Sequence, residues 1–131
     1  MPILCRVTRG DLTESIHVVF AVAVDETGTV FYSTGDPYYP TCIRSSLKPF
    51  QAAAAVKAGA VDAAGFSDDE LAMMCASHSG EDIHVKTVQS MLNKLGLSTA
   101  DLECGSHFPS DTITRRNMIK NGIEPSPLHN N

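Results

Sequence analysis

The chain has 131 residues, 43% of them hydrophobic and 19% charged, a globular composition sized for one domain and too short for a large multidomain enzyme. Ten Lys and Arg stand against fifteen Asp and Glu, and the net charge of −5 argues against nucleic acid or an anionic membrane surface as partner. No apolar run reaches the length of a membrane span, and the opening Met1-Pro2-Ile3-Leu4-Cys5-Arg6 lacks the long apolar stretch of a secretion signal.

The first third reads as strands. Residues 3–7 offer one, and Ile16, Val18, Phe20, Val22 and Val24 recur at period two. Asp25-Glu26-Thr27-Gly28 is turn chemistry, and the β-branched and aromatic Thr29–Thr34 completes a hairpin. From about residue 46 the period becomes helical, on an alanine-rich segment that Gly59 can end. Ser67-Asp68-Asp69-Glu70 has capping-box spacing and opens a short helix through Leu71 and Met74. The clearest helix spans about Asp82 to Leu95, with Val85, Val88, Met91, Leu92 and Leu95 in one stripe and Gly96 as stop. One more turn is expected near Ser98–Glu103, a helix over Ser110–Asn121, and a loop from Glu124 to the end. Strands first and helices after point to an α+β fold, an antiparallel sheet with helices.

Cysteines at 5, 42, 75 and 104 form no Cys-x-x-Cys pair, which argues against a zinc ribbon or redox dithiol. Reduced thiols and a cytoplasmic location are expected.

The densest chemistry lies in Arg44-Ser45-Ser46-Leu47-Lys48-Pro49-Phe50-Gln51. Ser45 and Lys48 have Ser-x-x-Lys spacing, which sets a hydroxyl and an amine one helical turn apart. Such an amine can activate the hydroxyl as a nucleophile once it is neutral, and burial, Arg44 and a helix N-terminus all favour the neutral form. Pro49 requires the pair to lie in or just before the first turn. A simple N-cap role for Ser45 or Ser46 is the alternative.

A second cluster is Cys75-Ala76-Ser77-His78-Ser79-Gly80-Glu81, small and polar residues at a junction between helices. Its structural alternative makes Ser79 the cap of the next helix, with Asp82 three residues on, and His78 an ordinary loop histidine. Cys104-Gly105-Ser106-His107 pairs a thiol with an imidazole, but without a second pair no metal is assigned to it. His17 reads as structural and His84 as half-buried or solvated beside the apolar stripe.

In combination with Pro127-Leu128-His129-Asn130-Asn131, these motifs resemble the rhizobial-type, or class 3, L-asparaginases of the asparaginase II family, over essentially the whole chain. The resemblance implies a serine β-lactamase/penicillin-binding-protein-like fold and hydrolysis of L-asparagine to L-aspartate and ammonia. It implies Ser45 as nucleophile, Lys48 as its base, Ser77 as the serine of a second Ser-Lys pair, and Arg44 and His78 beside the substrate. Family members are more than twice as long and continue past His-Asn-Asn into Cys-Ser-Gly-Lys-His, which supplies zinc ligands. No cofactor or metal is therefore assigned to this chain, and Cys104 does not match a zinc ligand by position. Residues 1–131 are expected to be the N-terminal part of a single asparaginase II-like catalytic domain, with half of its active site and no turnover alone. L-asparagine is the expected small-molecule partner and a homodimer the candidate assembly. Two rivals are a penicillin-recognising acyl-serine enzyme, whose Ser-Asp-Asn and Lys-Thr-Gly motifs are absent here, and a non-catalytic fragment acting as an interaction module.

Overall fold

A computed structural model describes residues 2–130 and divides them into two compact units, one ending at Cys42 and one beginning at Ile43. The fold class is α+β, as the order of strands and helices predicts.

The first unit holds two small antiparallel sheets. β1 (Ile3–Arg9) pairs with β2 (Leu12–Val19), and β3 (Ala21–Val24) pairs with β4 (Val30–Thr34). The alternation expected to run unbroken from Ile16 to Val24 is thus split at Phe20, where the chain changes hydrogen-bonding partner. Asp25 builds the β3–β4 turn, its Oδ1 accepting the N–H groups of Thr27 and Thr29 at 2.9 Å and the Thr27 hydroxyl at 2.6 Å. Those bonds, the Thr27 hydroxyl first, hold the Asp25 carboxyl below the usual carboxylate range. Phe20 stacks on Tyr39 with ring centroids 4.6 Å apart.

The second unit is helical. α1 (Lys48–Lys57) follows a 3₁₀ turn over Arg44–Leu47, and α2 (Ala60–Ala63) is a single turn beyond Gly59. α3 (Asp68–Cys75) starts on the predicted capping box: the Ser67 hydroxyl accepts the Glu70 N–H and Glu70 Oε2 accepts the Ser67 N–H. α4 (Asp82–Leu95) ends where Gly96 adopts φ +67, a left-handed stop open to glycine at little cost. After a 3₁₀ turn at Thr99–Asp101 come α5 (Thr112–Lys120), capped by Asp111, and a last 3₁₀ turn at Pro127–His129.

α1 packs on α3, α3 on α4, and the Pro127–His129 turn on α4. Ala52, Val61, Leu92, Met118 and Leu128 are buried, and Pro109 is fully so. A side chain of Leu92 or Met118 size contributes roughly 1.5–3 kcal/mol when buried. Val85, Val88 and Met91 extend that apolar contact half-buried, while Leu95, at the edge of the predicted stripe, is exposed. No helix among the described residues is long and apolar enough to cross a membrane.

Candidate active site

Ser45 lies in the 3₁₀ turn and Lys48 is the first residue of α1, the arrangement Pro49 requires. The backbone N–H of Lys48 donates to Ser45 O, which keeps the two one tight turn apart. Arg44, just before them, has φ +49, the one positive φ outside glycine among the described residues. That left-handed conformation costs a residue with a side chain roughly 1–2 kcal/mol.

The amine of Lys48 reaches across the helix packing to the second motif. Nζ donates to Ala76 O at 2.8 Å and lies 3.4 Å from Ser77 Oγ. Two segments 29 residues apart therefore meet at one half-buried lysine, because α1 packs against α3 and residues 76–77 leave the C-terminal end of α3. Ser45 and Ser77 are exposed, so both hydroxyls are open to a small molecule, and Arg44 is exposed as well.

Two other loops and the start of α4 fix the segment after Ser77. Ser79 O accepts the Asp111 N–H at 3.2 Å and the Ser110 hydroxyl at 3.4 Å, and the Ser79 hydroxyl donates to Glu81 Oε1 at 2.7 Å. With Ser79 so engaged, the cap of α4 falls two residues past it, against the structural alternative. Glu81 is the cap residue and His84, rather than Asp82, is its partner. Gly80 is buried at φ +79 against Pro109 and the His129 carbonyl. A Cβ there would stand 2.8 Å from Pro109 Cβ and 2.9 Å from His129 O. Gly80→Ala is accordingly expected to lower Tm by about 5 °C or more, through backbone strain and overlap together. A circular-dichroism melt unchanged from the parent chain would count against the three-loop junction.

His78 is half-buried, its Nδ1 accepting the Gly80 N–H at 3.2 Å and its ring stacked on His84 at 5.4 Å. Burial holds this imidazole below its ordinary range, and the nearby His84, Lys48 and His129 add to the effect. Cys104 and His107 serve the chain's last turn. Cys104 Sγ lies 3.8 Å from Pro127 O, His107 Nε2 is 2.9 Å from Asn130 Oδ1, and Asn130 Nδ2 donates to Gly105 O at 2.6 Å. All four cysteines are free thiols. Among the described residues no three of His, Cys, Asp and Glu are grouped to hold a metal ion.

Sequence reasoning missed His84 and His129, which reach back to cap the turns they belong to. Their only local signal is the spacing Glu81-x-x-His84 and Ser126-x-x-His129, with histidine where Glu or Gln is usual.

Among curated proteins none matches this chain. The family model described as L-asparaginase II matches residues 5–131, which takes in both motifs, the loop junction and the closing turn. The chain belongs to the L-asparaginase II family.

Proposed function

We propose that this chain supplies the nucleophile half of an asparaginase-type amidohydrolase that hydrolyses L-asparagine to L-aspartate and ammonia. The observation that carries the reading is the position of Lys48, one turn from Ser45 and 3.4 Å from Ser77 Oγ. The amine stands beside the Ser77 hydroxyl, and the one-turn spacing from Ser45 is the one that general-base catalysis at Ser45 calls for.

In this reading Ser45 Oγ attacks the side-chain carboxamide carbon and passes its proton to the neutral Lys48 amine. The tetrahedral intermediate collapses as Lys48 returns that proton to the leaving nitrogen, the C–N bond breaks, and ammonia departs. Water, activated by the same amine, then hydrolyses the acyl-serine to release aspartate and restore Ser45. The N-terminal end of α1 favours the developing oxyanion. Arg44 holds a substrate carboxylate, and its strained backbone, stored beside the reacting serine, is where functional strain is commonly found. His78 and Ser77 border the substrate on the other side.

Residues 1–131 are, in the same proposal, the N-terminal part of one catalytic domain of the class 3, serine β-lactamase-like type. Both small sheets leave strand side chains such as Leu4, Ile16 and Phe31 exposed, as strands awaiting further sheet and helix would. The proposal is tested by joining this chain to the C-terminal part of a full-length family member and following ammonia release from L-asparagine and L-glutamine. Ser45→Ala is expected to lower the asparagine rate about a hundredfold or more, Ser77 beside Lys48 leaving a residual route. Unchanged release would remove Ser45 as the nucleophile, and acylation of Ser45 by a β-lactam would favour the penicillin-recognising alternative.

A further inference from the structure

Two elements beside the candidate site begin with the same unusual cap. In a capping box the third helical residue is normally Glu or Gln, whose side chain accepts the backbone N–H of the cap residue. Here histidine fills that position twice. His84 Nδ1 accepts the Glu81 N–H at 3.2 Å at the start of α4, and His129 Nδ1 accepts the Ser126 N–H at 3.0 Å at the start of the last turn, with the Ser126 hydroxyl also 3.0 Å from that nitrogen. His78 acts alike within its loop, taking the Gly80 N–H at 3.2 Å.

An imidazole can accept at Nδ1 only as the neutral tautomer with its proton on Nε2, since the imidazolium donates from both nitrogens. A Gln in the same place would accept at every pH. All three bonds bear on one segment: His78 and Gly80 belong to it, Glu81 closes it and ties down Ser79, and His129 O packs on Gly80.

We propose that His84 and His129 are positioning residues that hold the Ser77–Gly80 loop only while their imidazoles are neutral, so that acid loosens the candidate site. The consequence for catalysis rests on the function proposed above; the loosening of the loop does not. The ionisable groups beside the cluster are Lys48 from α1, Glu81 and Asp82 at the start of α4, Asp111 before α5, and His107 near Asn130. Burial first, then the nearby His84, Lys48 and His129, disfavours the protonated form of His78. Because burial depresses the His78 value below 6.5, the stability its neutral form contributes is present above that value and is lost as pH falls.

The test is amide hydrogen exchange at Gly80, Glu81 and Ser126, corrected for intrinsic rate, between about pH 7.5 and about pH 5. In the unaltered chain protection is expected to fall about tenfold or more over that range. With His84→Gln and His129→Gln combined, Glu81 and Ser126 keep their protection, because Gln accepts the same N–H and takes up no proton. Protection retained by the unaltered chain at the acid end overturns the proposal, as does its loss in the Gln variant over the same interval. His84→Asn with His129→Asn offers a shorter non-titrating acceptor. If neither double variant protects the two amides even at the upper pH, the capping assignment itself is wrong. Ammonia release is not read in this experiment, so it stands or falls apart from the catalytic assignment.

Discussion

Lys48→Met is expected to reduce ammonia release in the joined chain by about a thousandfold to ten-thousandfold while moving Tm by only a few degrees. Methionine keeps the length and apolar body of the lysine stem, so the half-buried position beside the C-terminal end of α3 stays filled. What disappears is the amine, together with its bonds to Ala76 O and Ser77 Oγ. The loss is expected to exceed that for Ser45→Ala because in the proposed mechanism Lys48 serves both hydroxyls, and either serine is a weak nucleophile without a base. Lys48→Arg separates two roles for the amine. A guanidinium keeps the positive charge and donates to the same carbonyl, yet it does not give up a proton in a protein. If Lys48 is the base, the Arg variant is as inactive as the Met variant. If the Arg variant retains most of the activity, Lys48 is an electrostatic anchor and the proton passes elsewhere. Kinetics and melting curves on the same three proteins decide between these outcomes.

Where the determinants are local, the sequence announces them. α4 begins and ends where the apolar spacing and Gly96 place it, and the Ser67 capping box opens α3, because stripe, cap and stop all act within one or two turns. Phe20 shows where this kind of reading fails. Alternation reports which face a side chain occupies, and that pattern continues smoothly while the backbone leaves one hydrogen-bonding partner for another. The structural alternative for Ser79, a cap of α4, fails for a related reason. Ser79 has the composition of a cap, but its carbonyl is taken by residues 110 and 111, more than thirty positions away. The candidate site divides along the same line. Ser45, Lys48, Ser77 and His78 are conspicuous by residue type and spacing, whereas the contact joining the two motifs is created by helix packing that periodicity does not encode.

Glu70→Gln is expected to lower Tm at neutral pH by roughly 5–10 °C. Glu70 is only 4% exposed and both of its carboxylate oxygens accept hydrogen bonds. Oε2 accepts the Lys94 ammonium at 2.6 Å and the Ser67 N–H at 2.7 Å, and Oε1 accepts the Ser90 hydroxyl at 2.7 Å. Lys94 also donates to Gly65 O at 2.7 Å, so one carboxylate fastens the start of α3, the turn before it and the last turns of α4. The Lys94 bond above all, then Ser67 and Ser90, holds the Glu70 carboxyl at about 2, against an ordinary value of 4.5. A depressed value means that the unfolded chain takes up the proton first. The contribution is therefore complete above pH 4.5 and is lost as pH falls from there toward 2. Asp101 and Asp111, each held low first by a backbone N–H, add acid sensitivity of their own, so the informative quantity is the difference between parent and variant. That difference is expected to be full at neutral pH and to shrink as pH drops below 4.5. A difference constant with pH would mean that packing, not charge, carries the effect. Lys94→Met gives the reciprocal measurement. It strands the buried carboxylate without its cation, so its cost at neutral pH is expected to match or exceed that of Glu70→Gln, and acid should relieve it as the carboxyl protonates.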